Sequence, residues 1–185
     1  MNQTMIEDLF AKRVRNSLGN IKSRRQDLTF EQLKIYYEEK GLKLNEKFAS
    51  NLELLTDDGY YNYVAYLMAD SNGVSIKVAK YAGTNKVDLI ENNEYGYCSL
   101  IKATKRVLEK LEIENKTAAL ITSTTRKEQP LWNKVAIREA VINAIVHNDY
   151  TTENPPVFEI FSDRIEIIST GGLSIIKNID DFFSG

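Results

Sequence analysis

Residues 138–150, Arg138-Glu-Ala-Val-Ile-Asn-Ala-Ile-Val-His-Asn-Asp-Tyr150, constrain this chain more than any other stretch. On a helix, Glu139, Asn143 and His147 fall at about 0°, 40° and 80°, one narrow polar row. Ile137, Ala140, Val141, Ile142, Ala144, Ile145 and Val146 cover most of the remaining circumference. That pattern predicts a helix buried nearly all round. A buried carboxylate, amide and imidazole each need a partner, since leaving one unpaired costs about 1–3 kcal/mol.

The length of 185 residues suits one domain, or one domain with a small appendage. An apolar fraction of 43% and a charged fraction of 27% are those of an ordinary globular protein. The net charge of −2 gives the whole molecule no bulk attraction to nucleic acid or membrane. The charge is uneven, however. Residues 1–25 carry Lys12, Arg13, Arg15, Lys22, Arg24 and Arg25 against Glu7 and Asp8, a local excess of four positive charges, and the rest of the chain sums to −6. The basic start reads as a solvated helix and linker, or as a phosphate-contacting arm. Cys98 is the sole cysteine, so no intrachain disulfide forms, which suits a reducing compartment. No apolar run reaches the ~20 residues of a membrane span, and no signal-peptide core opens the chain. A cytoplasmic protein is expected.

Apolar spacing predicts helices over 4–18, 30–40, 45–54 and 61–69, the tyrosines of the last also permitting a strand, with Thr29 opening the second and Gly41 closing it. Asp70-Ser-Asn-Gly73 marks a loop. Beyond it the pattern changes. Period-two alternation predicts a strand over 75–82, and a helix follows over 97–111. A strand is expected over 117–124 and the striped helix over 133–148. Residues 157–161 and 164–168, joined by Ser162-Asp163, read as a hairpin. The opening of a further helix is expected over 178–185. The expected fold is α+β: a two-layer sandwich of a mixed β-sheet and helices, preceded by a helical N-terminal part. The expected division is a helical segment and linker over 1–70 and an α+β module over 71–185. All four strands are expected to lie under the helices at 97–111 and 133–148.

The polar row has two chemical readings. In one, the three groups hydrogen-bond to neighbouring loops and lock the helix to the hairpin. In the other, Glu139 is a general base toward water, and Asn143 offers its amide oxygen to a hard cation such as Mg²⁺. His147 then bonds a phosphate or a loop carbonyl. His147 is the only histidine, so a zinc site is poorly supplied. Gly171 and Gly172, within Thr170-Gly-Gly-Leu173, either bring backbone amides to a phosphate or make an ordinary turn. No Walker A pattern, Rossmann fingerprint or nucleophile elbow occurs.

Ala136–Tyr150 and Pro156–Leu173 together resemble a bacterial family of RecG-like helicase-related proteins and transcriptional regulators. The resemblance covers about 130–175 and extends back to about 50. Members of that family carry an N-terminal Schlafen/AlbA-type DNA-binding domain, a divergent GHKL-type ATPase-like module, and often a winged helix. In GHKL ATPases a Glu-x-x-x-Asn-Ala helix orients the attacking water through its Glu and ligates Mg²⁺ through its Asn. Glu139, Asn143 and Ala144 match that pattern. The resemblance thus implies Glu139 as catalytic, Asn143 as the metal ligand, and Asn143, His147, Gly171 and Gly172 around ATP and Mg²⁺. Two departures stand out. The family's adenine-recognising Asp is missing from Ile168-Ser-Thr-Gly-Gly-Leu173, and the glycine-rich lid motif is absent. The resemblance also implies that this chain corresponds to the middle part of a longer polypeptide.

Three functions follow as expectations. The first is a regulatory module of a bacterial transcriptional regulator with a degenerate ATPase-like domain. It reaches DNA through neighbouring domains, touches no membrane, and binds or hydrolyses ATP only at full length. The second is a non-catalytic interaction or dimerisation scaffold, forming a homo-oligomer. The third is direct DNA binding through a degraded helix-turn-helix over 30–63, opposed by Glu31, Glu38, Glu39, Glu46 and Glu53.

Overall fold

In a computed structural model, residues 18–115, 118–121, 126–152 and 154–171 are described. The helix expected over 4–18 lies outside the described residues, apart from its last position. So do the helix expected over 178–185 and Gly172. The chain forms two compact units: Met1–Val74 with Gly96–Lys105, and Ser75–Tyr95 with Arg106–Gly185. The fold is α+β, with helices and a four-stranded mixed sheet.

In the first unit a 3₁₀ turn, Leu18–Asn20, precedes α1 (Glu31–Glu39), α2 (Phe48–Asn51) and α3 (Tyr63–Met68). Leu28, Phe30, Leu33, Leu54, Ala65 and Ala69 form the core, with Phe48 and Tyr61 packed against it. The Phe30 ring meets Phe48 edge-on at 5.4 Å and Tyr61 at 5.3 Å, arrangements that aromatic quadrupoles favour. Gly41 closes α1 as expected, at φ +72°. Its N–H reaches Glu38 O at 2.9 Å, and the Leu42 N–H reaches Tyr37 O at 2.9 Å. This is a Schellman ending.

The start of α1 departs from expectation. Phe30, not Thr29, is the capping position, and its side chain has no group to offer. The Asp70 carboxylate instead accepts from Glu31 N at 2.8 Å and Gln32 N at 2.7 Å. Partial burial pushes the Asp70 carboxyl up, but the two backbone bonds, with a hydrogen bond from Thr29 and the Lys34 charge, outweigh it and hold the group below its ordinary range. The helix expected over 45–54 is also shorter, a single turn at Phe48–Asn51. Asn62 caps α3: its Oδ1 accepts from Ala65 N at 2.9 Å, while its Nδ2 donates to Glu53 O at 2.7 Å. Asn62 is fully buried, and Glu53, held at φ 52°, is one of two non-glycine residues with positive φ among those described.

In the second unit the sheet has the order β2-β1-β5-β6. Its strands are β1 (Lys77–Tyr81), β2 (Leu89–Glu94), β5 (Val157–Ile160) and β6 (Ile165–Ile168). β1 and β5 are parallel, and the two outer pairings are antiparallel. The expected hairpin is therefore present. Of the strand expected over 117–124, Ala118–Ile121 is described and is a strand, β3, but not in this sheet: among the described residues it pairs with β4 (Arg126–Gln129) as a two-stranded ribbon. Its place in the sheet is taken by β2, which the sequence conceals. Leu-Ile-Glu-Asn-Asn-Glu lacks alternation and is poor in β-branched and aromatic residues.

Helix α4 (Leu100–Glu114) and helix α5 (Lys134–Val146) complete the fold. The second half of α4 is tied to β1 and β2 by charge. Lys110 Nζ sits 2.6 Å from Glu91 and 2.6 Å from Glu114, and Lys80 Nζ sits 2.7 Å from Glu114. The side chains of Lys110 and Glu114 are each only 12% exposed, so screening by water is weak there.

Two outcomes test this description. Asp70→Ala should destabilise the first unit by about 1 kcal/mol, the usual worth of a helix cap, as read from chemical denaturation. The second concerns pH. Burial pushes the Glu114 carboxyl up, but the hydrogen bonds from Lys110 and Lys80 outweigh it, leaving it below its ordinary 4.5. Glu91 is lowered by its Lys110 bond. Both contributions are present above pH 4.5 and are lost as pH falls through the lowered folded values. Burial lowers Lys110, but its two carboxylates outweigh that and raise it above 10.5, so its share is lost only as pH rises beyond that point. The melting temperature should therefore be level from about pH 5 to 10 and fall on acidification. Glu114→Gln should make the acid-side fall shallower.

Candidate functional site

Helix α5 begins at Asn133, whose Oδ1 accepts from Val135 N at 2.9 Å and Ala136 N at 3.2 Å. It ends at His147, whose N–H closes the last turn on Asn143 O at 3.0 Å. Its buried side is narrow: Val141, Ala144 and Ile145, at i, i+3 and i+4. Glu139, Asn143 and His147 form one row, as the spacing predicts, but the row faces solvent. The expectation of a helix buried nearly all round is corrected. Val135 is 69% exposed and Val146 is 65% exposed. The reason is that apolar residue type licenses burial without requiring it. The face with Val141, Ala144 and Ile145 is covered, Ile137, Ala140 and Ile142 are partly covered, and Val135 and Val146 stay in water.

None of the three row side chains has a hydrogen-bond or ion-pair partner among the described residues. Among the described residues, nothing ties the row to the hairpin. Nor does any group of three His, Cys, Asp or Glu side chains lie close enough together to hold a metal, among the described residues. What the row offers is an open surface: a carboxylate for accepting a proton, an amide oxygen for a cation, and an imidazole at a helix C-terminus.

A tie between helix and hairpin is made one residue further on, by groups outside the row. Asn148 is 5% exposed. Its Oδ1 accepts from Thr170 N at 2.9 Å and from Thr170 Oγ1 at 3.1 Å, and its Nδ2 donates to Asn154 O at 3.0 Å. The Asp149 N–H donates to Thr170 O. The Asp149 carboxylate turns back to accept from Thr151 N at 2.9 Å and Thr151 Oγ1 at 2.6 Å, and the hydroxyl bond first, then the amide bond, holds its carboxyl below the ordinary range. This Asx turn was the one available sequence signal, in the spacing of Asp149 and Thr151. Nothing in the sequence marks Thr170.

The clasp brings Gly171 against the end of the row. A Cβ on Gly171 would stand 2.8 Å from the backbone oxygen of His147. Glycine is needed here because two backbones nearly touch. The structure thus brings Gly171 to His147, at the C-terminal end of the row, whereas Gly172 lies outside the described residues.

A second polar cluster lies on the sheet. Alternation along β5 puts Phe158 and Ile160 on one face and Glu159 on the other. Glu159 is 6% exposed and stands directly opposite Glu166 on β6. Two carboxylates facing each other across a ladder repel. Cations offset this: Lys86 Nζ lies 2.5 Å from Glu159 and 4.0 Å from Glu166, and Arg164 lies 2.7 Å from Glu166. The Glu159 carboxylate, through its hydrogen bond, holds the Lys86 ammonium above its usual range. Tyr81 stacks on Phe161 at 5.0 Å, and the Arg164 guanidinium lies 4.1 Å over the same ring. Every charge in this cluster has a partner, which marks it as a structural device rather than a reactive centre.

Comparison with known proteins adds the fold alone. No family model matches the chain, and no curated protein matches it. Among solved structures, it is similar to the DIP2311 protein from Corynebacterium diphtheriae, with a TM-score of 0.63 and 17% identity over 84% of this chain. This chain spans about a third of that protein, 32% of its length.

Three substitutions separate the parts of this site. Glu139→Ala should change stability by no more than about 0.5 kcal/mol, as for a surface position. Asn148→Ala, which strands buried partners, should cost about 1–3 kcal/mol. Gly171→Ala, which forces a methyl group into the His147 carbonyl, should cost a similar amount, about 1–3 kcal/mol. Thermal melts of the three variants check all of these, and a large loss for Glu139→Ala would show that the row is structural after all.

Proposed function

We propose that this chain is a regulatory module of a bacterial transcriptional regulator, built on an ATPase-like fold and acting through contacts rather than turnover. The observation that supports this reading is the match of Glu139, Asn143 and Ala144 to the GHKL helix pattern; the solvent-facing row of Glu139, Asn143 and His147 counts against the shared polar cavity that an ATPase site needs. They stand in a row in solvent, with no partners among the described residues, beside a glycine held by the Asn148 clasp. A general base works within hydrogen-bond reach of its proton and in a site that excludes water. An open row is a surface for receiving something, and the match of Glu139, Asn143 and Ala144 to the GHKL pattern supports an ATPase-like ancestry. Within this reading, neighbouring domains of a longer protein contact DNA and the module contributes interaction or homo-oligomerisation. The location is cytoplasmic, in keeping with a single cysteine. No helix among the described residues is long and apolar enough to cross a membrane.

Nucleotide binding is a second reading, with one observation in its favour. Gly171 lies at the end of the row, where glycine amides can approach a phosphate while Asn143 faces a cation. Calorimetric titration of the full-length gene product with ATP and Mg²⁺ separates the two. Contact-based regulation predicts no turnover, and Asn143→Ala without effect on any residual nucleotide affinity. Binding tighter than millimolar that Asn143→Ala abolishes, with hydrolysis that Glu139→Ala abolishes, would replace the first reading by an ATPase.

Direct DNA binding by the first unit is not favoured. Helix α2 is one turn long, too short to serve as a recognition helix in a major groove. Glu31, Glu38, Glu39, Glu46 and Glu53 are all exposed and repel phosphate. A gel shift at low salt should show no complex with duplex DNA. A complex that weakens steeply with added salt would restore this function.

A further inference from the structure

We draw no further inference here: the strongest candidate, the outer edge of β2 with its exposed Leu89 and Ile90 beside exposed Val87, carries nothing because nothing in the structure shows what covers it.

Discussion

The tie between the end of α5 and the end of β6 fixes the geometry of everything near the polar row. One buried amide, Asn148, bonds Thr170 twice and Asn154 once. An amide suits this role because it presents an acceptor and a donor on one rigid plane. A leucine of similar size would fill the space and leave the Thr170 amide and the Asn154 carbonyl without these bonds. Because the tie is made by the residue after the helix, the helix side chains themselves are released from structural duty. This is why Glu139, Asn143 and His147 can stand in water without cost to the fold.

Charge placement follows a similar logic on the sheet. Glu159 and Glu166 oppose each other across the ladder, an arrangement that would destabilise an isolated hairpin. Lys86 comes from a loop distant in sequence and bridges both carboxylates, while Arg164, the residue just before β6, satisfies Glu166. On α4, Lys110 performs the matching task between Glu91 and Glu114. In both places a largely buried acid is held by a cation from another element, Lys86 for Glu159 and Lys80 for Glu114, so the network fixes which elements are neighbours more than it adds net stability.

Much of this architecture was legible in the residues. Period-two alternation located β1, β5 and β6, and apolar spacing located α1, α3, α4 and α5. Local signals such as Gly41 were read correctly because their chemistry lies within a few residues of the element they end. The misreadings share a different cause. Asp70 caps a helix that starts far upstream, β2 is a polar edge strand whose only strong claim is its partner β1, and β3 is a genuine strand whose sheet membership is set by pairing rather than composition. The exposed side of α5 belongs with these. Val135 and Val146 are apolar, but which side of a helix is covered depends on what lies beside it. For the candidate site, the row was legible as a row. Its surroundings were not, because Thr170 carries no pattern of its own.

The parallel pairing of β1 with β5 has a kinetic consequence. Lys77 must meet Val157, and the chain between them builds β2, α4, the β3–β4 ribbon and α5 before β5 appears. Part of that excursion, Gly96–Lys105, belongs to the other unit. The central strand pair thus has a high contact order, and loop-closure entropy is spent before its ladder returns any energy. On the ribosome, β1 and β2 can pair early as a local hairpin, but the sheet stays half-built until β5 and β6 emerge. During that interval the inner edge of β1 has no neighbour, and chaperone capture or premature association is the hazard the nascent chain has to survive.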